Sequence, residues 1–124
     1  MHNSKRYKRI GITKHRLHEL QYFCLQYRQW KYALTGTLTD SDRKYYLDNI
    51  NLIDRTIEEV GDGISAYLLD AVTREDVTYQ QLHMQGIPCG RKYFYEHRRR
   101  FFVALDARKR GTQETLDHDT MTVP

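Results

Sequence analysis

The sequence predicts an all-α protein. Three observations carry that expectation. Apolar residues recur at spacings of three and four along most of the chain, the period of a helix with one buried face. No segment reads as a convincing strand. The only prolines are Pro88 and Pro124, and the seven glycines fall mostly between the periodic segments. The expected architecture is an N-terminal antiparallel helical hairpin followed by a C-terminal helix-turn-helix. Its divisions are a basic arm over 1–12, a hairpin with a connecting helix over 13–76, the helix-turn-helix over 77–110 and a disordered tail over 111–124.

The first helix is expected from Thr13 to about Leu34. Leu20, Phe23, Tyr27, Trp30 and Leu34 form one apolar stripe, widened by Leu17 and Cys24. Gly36 then interrupts the pattern, and Thr39, Asp40 and Ser41 are N-cap residue types, able to accept a backbone N–H at a helix start. A second helix spans about Asp42 to Val60, with Tyr46, Ile50, Ile53, Ile57 and Val60 in the same rhythm and Gly61 and Gly63 as its C-cap. Two such helices joined by a short loop pack against each other. A short third helix, about Ile64 to Val72, leads to the C-terminal motif. Aromatics at helical spacing are read as core, not as stacking platforms for bases.

Charge is distributed in blocks. Residues 1–18 carry six Lys/Arg and no acid, residues 40–76 ten acids against four bases, and residues 91–110 eight bases against two acids. Basic faces attract phosphate and gain from counterion release. The acidic middle is expected to face away from nucleic acid or to dock on a basic block. With 29% charged residues, no apolar run of the roughly 18 residues that cross a bilayer and no apolar signal segment, a cytoplasmic protein without a membrane partner is expected. Cys24 and Cys89, far apart in sequence, are expected to be free thiols.

Residues 77–110 hold the functional signal. Thr78 is an N-cap with Gln81 in capping-box position. Tyr79 and Leu82 face inward, Gly86 supplies a positive φ, and Ile87 plugs the space between two helices. Pro88 suits the entry of the next helix, which begins near Cys89 or Gly90. On that helix Phe94, Phe101 and Leu105 fall on one side with Ala104 adjacent, leaving Arg91, Lys92, Tyr95, Arg98 and Arg99 on or near the solvent side. The order is that of a supporting helix, a sharp corner and a second helix for the major groove of double-stranded DNA. Arg91, Lys92 and Tyr95 are assigned to base edges, and Arg98, Arg99 and Arg100 to phosphates.

The run from Thr78 to Leu105 resembles the helix-turn-helix of phage-encoded late transcription regulators of the ArpU and RinA type, and is similar to the promoter-reading region of sigma factors. Tyr79, Leu82, Gly86, Ile87 and the Tyr93-Phe94-Tyr95 cluster carry the resemblance. The chain departs from that pattern at His83, where a small alanine is usual, and at Pro88-Cys89-Gly90. The resemblance implies a phage or mobile-element transcription regulator acting in a bacterial host, with RNA polymerase and a second copy of the chain as further candidate partners. Two other readings compete: a packaging component like a small terminase subunit, and a non-catalytic protein-interaction module.

Catalytic chemistry is not expected. The six histidines and two cysteines show no metal-ligand spacing, no glycine loop suits a phosphate, and Glu58 and Glu59 diverge on adjacent helix positions. No cofactor and no metal site is expected. Cys89 beside Arg91 and Lys92 has neighbours that lower a thiol pKa, although a small turn residue is the simpler reading.

Overall fold

In the computed structural model of the chain, residue 7 and residues 11–122 are described, with side chains as far as residue 111. The described residues form helices joined by turns and contain no strand. They are α1 (Lys14–Leu25), α2 (Tyr27–Ala33), α3 (Asp40–Val60), α4 (Ser65–Thr73), α5 (Tyr79–Met84) and α6 (Arg91–Thr122). Of the expected basic arm, residues 1–6 and 8–10 lie outside the described residues.

Side-chain caps set the starts of three helices. Thr13 accepts the Arg16 N–H at 3.0 Å to open α1, and Thr39 accepts the Asp42 N–H at 3.0 Å to open α3. At Thr78 the capping box is complete: the hydroxyl accepts from Gln81 N–H at 3.2 Å, and the Gln81 side chain accepts from Thr78 N–H at 3.0 Å. These bonds satisfy backbone donors that a helix leaves unpaired in its first turn. Thr78→Ala is expected to cost about 1 kcal/mol of stability, read as a shift in the urea midpoint. An unchanged midpoint would show that the α5 start is held by packing alone.

The segment from Thr13 to Leu34 is not one helix. It breaks at Gln26, whose N–H turns to the Phe23 carbonyl at 3.3 Å while its side-chain Nε2 donates to the Tyr22 carbonyl at 3.2 Å. The side chain thus serves the carbonyl that a regular helix would give to the Gln26 amide. Phe23 and Trp30 meet edge to face across the break, 5.1 Å between ring centres. The hydrophobic stripe continues across the break, which is why periodicity could not reveal it. Helix α2 packs along α3, whereas α1 packs mainly on α4 and α6, so the expected two-helix pairing is confined chiefly to its loop end.

Gly61 and Gly63 divide the work at the end of α3. Gly61 is the C-cap with φ −65°, ordinary helical geometry. A Cβ there would run into Ser65 Oγ and stand 2.7 Å from the Ile57 carbonyl oxygen, so the close approach of α4 requires glycine. The left-handed turn falls instead on Asp62 (φ 41°) and Gly63 (φ 89°).

Helix α6 is the axis of the fold, in contact with α1, α3 and α4. Phe94, Phe101 and Leu105 are buried as expected, and so are His97 and Phe102. The buried sector is wide because α1, α3 and α4 all pack on α6. Tyr7 meets Phe102 edge to face at 6.5 Å. Asp106, nearly buried, receives Arg16 Nε at 2.6 Å and Arg110 Nε at 2.8 Å, which fastens α1 to α6. The backbone of α6 continues through Thr122, so the disordered tail expected over 111–124 is helical to residue 122; residues 123–124 lie outside the described residues. An aperiodic polar sequence excludes a packed face, but it does not exclude a helix.

Cys24 and Cys89 are both free thiols. Burial pushes Cys24 up to about 12, and burial also raises Cys89. The lowered pKa expected of Cys89 beside Arg91 and Lys92 is therefore corrected: partial burial in the turn raises it. At pH 8, a thiol reagent is expected to label Cys89 slowly and Cys24 only after unfolding. Equal, rapid labelling of both in the native protein would contradict the packing of α1.

Candidate nucleic-acid interface

The turn between α5 and α6 is built from backbone hydrogen bonds. Ile87 N–H reaches the Leu82 carbonyl at 3.0 Å and Gly86 N–H the His83 carbonyl at 3.0 Å. This double closure is the Schellman arrangement, which needs a left-handed residue just past the helix. Gly86 provides it with φ 95°. Leu82 and Ile87 are buried beneath, the hydrophobic contact that accompanies such a cap. Tyr79 clamps the far side by donating its hydroxyl to the Cys89 carbonyl at 2.7 Å. Gly90 then offers its carbonyl to Phe94 N–H at 3.1 Å, and α6 begins. His83 is exposed and stacks on Tyr79, so it does not wedge the two helices apart.

The six expected site residues occupy the first three turns of α6 but not a single face. At roughly 100° per residue, Arg91, Tyr95 and Arg98 share one stripe, Lys92 and Arg99 lie beside it, and Arg100 points well round the helix. Arg91, Lys92 and Arg100 are exposed. Tyr95, Arg98 and Arg99 are half-buried, so they stand near the solvent side and not fully on it. The reason is Phe102: its burial brings α1 and Tyr7 over this side of α6. The Arg98 guanidinium lies over the Phe102 ring at 5.2 Å, and Tyr95 stands edge to face on Phe94 at 4.9 Å. One nitrogen of Arg99, Nη1, is buried without a hydrogen-bond partner. Burial raises the Tyr7 phenol pKa, and the nearby Arg98 and Arg99 charges oppose that rise.

Ion pairing sorts the basic residues. Glu59 takes Arg108 at 2.6 Å, Asp70 takes Arg28 at 3.0 Å and Arg74 at 2.9 Å, and Asp106 takes Arg16 and Arg110. Of the acidic middle, Glu59 thus pairs with the far end of α6 and Asp70 with α2. Among the described residues, no carboxylate stands within 4.0 Å of Arg91, Lys92, Arg98, Arg99 or Arg100. Arg91 is stacked over the Tyr79 ring at 5.1 Å.

A second cluster at this turn escaped sequence reasoning. Tyr93 donates its hydroxyl to the Asp62 carbonyl at 2.9 Å, 3.2 Å from the Asp62 carboxylate, and its ring stacks on His97 at 3.9 Å. Desolvation, then the Asp62 hydrogen bond and charge, raises the Tyr93 pKa. His97 Nδ1 stands 2.8 Å from the Tyr93 carbonyl. These contacts tie the start of α6 to the α3–α4 turn. The available signal was position: His97 continues the Phe94–Phe101–Leu105 stripe at helical spacing.

Fold and site together define a small all-α protein with a capped turn leading into a helix whose first three turns carry five cations with no described carboxylate within 4.0 Å. No family model matches the chain, and no curated protein or solved structure is significantly similar to it. Among the described residues, no group of three or more His, Cys, Asp or Glu could hold a metal ion, and no helix is long and apolar enough to cross a membrane.

Proposed function

We propose that this chain is a double-stranded-DNA-binding regulator in which α5, the Gly86 turn and α6 act as a helix-turn-helix. The observation that carries the reading is the set of five cations on the first three turns of α6 without a carboxylate partner. Glu59, Asp70 and Asp106, which could neutralise some of them, pair with other arginines. Cations left unpaired on one side of a fixed corner suit an external polyanion. Exposed Lys92 and Arg91 are the candidates for base edges, with Arg99 and Arg100 for phosphates. The resemblance to phage late regulators accords with this assignment, and RNA polymerase or a second copy of the chain is the proposed protein partner.

The test is a salt titration of duplex binding, followed by selection of bound sequences from a random DNA pool. Affinity is expected to fall steeply with salt, and one motif is expected to be enriched. The absence of affinity for any duplex at low ionic strength overturns the proposal. A ring of many subunits in light scattering would favour the packaging reading instead.

A further inference from the structure

One side of α6 does not face open solvent. Arg91, Tyr95 and Arg98 line a groove of about 520 Å³ together with Gln21 of α1 and Thr78 and Gln80 at the start of α5. Among the described residues, no Asp or Glu lines it. At its end, Gln21 and Arg98 also border a neighbouring cavity of about 500 Å³ between α1 and the α4–α5 connection. The volume lies within the roughly 300–1,000 Å³ of small-molecule sites.

The chemistry of the walls is specific. Arg98 is half-buried, lies with its guanidinium over the Phe102 ring, and among the described residues has no ion pair and no hydrogen bond. A guanidinium so held is a preorganised fork for a phosphate. Arg91, likewise stacked over Tyr79, is the second cation of the groove. Tyr95 supplies an aromatic surface between them. Among the described residues, no hydrogen bond engages the Gln21 or Gln80 side-chain amides. The Thr78 hydroxyl accepts from Gln81 but keeps its own hydrogen to donate. Two cations, an aromatic ring and free amides match a phosphate joined to a planar, hydrogen-bonding ring.

We infer that the groove between α1, the start of α5 and α6 binds a nucleotide, with Arg98 and Arg91 holding its phosphate and Tyr95 beside its base. The nucleotide has two possible sources: a free mononucleotide acting as effector, or an unpaired nucleotide of a DNA strand. The inference requires no duplex binding, so it stands or fails separately from the regulator reading.

The experiment is calorimetric titration of the full chain with AMP, adenosine, inorganic phosphate and a short single-stranded oligonucleotide. AMP is expected to bind at least about ten-fold more tightly than adenosine, since the phosphate makes the charge-assisted contacts. Arg98→Gln is expected to weaken AMP about ten-fold or more, while Lys92→Ala, outside the groove, leaves AMP binding unchanged and weakens duplex binding. Amide chemical shifts of the unsubstituted protein give a readout free of any folding defect: AMP is expected to move Gln21, Gln80 and Tyr95. Oligonucleotide binding that depends on Arg98 and is displaced by AMP assigns the site to a DNA strand; AMP binding without it assigns a free nucleotide. The inference is overturned if neither AMP nor the oligonucleotide binds, if AMP and adenosine bind alike, or if the shifts fall elsewhere.

Discussion

Phe101→Ala is expected to destabilise the protein by about 3–5 kcal/mol. Phe101 is fully buried on α6, on which α1, α3 and α4 all pack, and meets Phe102 edge to face at 5.1 Å. Truncation removes apolar burial and leaves a cavity that the packed helices cannot close. Total stabilities of small proteins are about 5–15 kcal/mol, so the loss takes a large share. Urea denaturation followed by circular dichroism measures it. Tyr32→Ala, 81% exposed on α2, serves as a control expected to stay within about 0.5 kcal/mol. A Phe101→Ala loss below about 1 kcal/mol would mean that α6 is not the axis of the core.

The double reversal Lys92→Glu/Arg100→Glu is expected to reduce duplex affinity about 100-fold at low salt and to lower the salt slope by about one, for the phosphate contact of Arg100. Both side chains are exposed and without ion pairs, so the fold should be unaffected, and unchanged circular dichroism verifies this. Arg108, paired with Glu59, provides the contrast. Its reversal should disturb the α3–α6 contact and leave the salt slope unchanged. Equal loss from both replacements would indicate a diffuse charge effect in place of a defined interface.

These two expectations rest on different kinds of information. The all-α class, the Thr78 N-cap, Thr39 as one of three candidate caps, the left-handed Gly86 and the core positions Leu82, Ile87, Phe94, Phe101 and Leu105 were legible in the sequence. Each depends on local chemistry: helical period, a hydroxyl or amide within three residues, or the steric freedom of glycine. The break at Gln26 was not legible, because a side chain substituting for a backbone donor leaves the apolar rhythm intact. Nor was the burial of Phe102, which comes from Tyr7, distant in sequence.

The candidate site divides the same way. The chain order announced a basic helix after a sharp turn, and six residues could be named on it. Which cations remain free was decided by tertiary packing. Glu59, Asp70 and Asp106 are drawn to arginines on other elements or at the far end of α6, and only the assembled fold sets those distances. The same packing turned Arg98 and Tyr95 toward a groove whose opposite wall is α1, nearly eighty residues earlier in the chain. Local sequence determines helix, cap and turn because their interactions span three or four residues. Charge pairing and cavities depend on where distant side chains meet, and that is settled only when the helices pack.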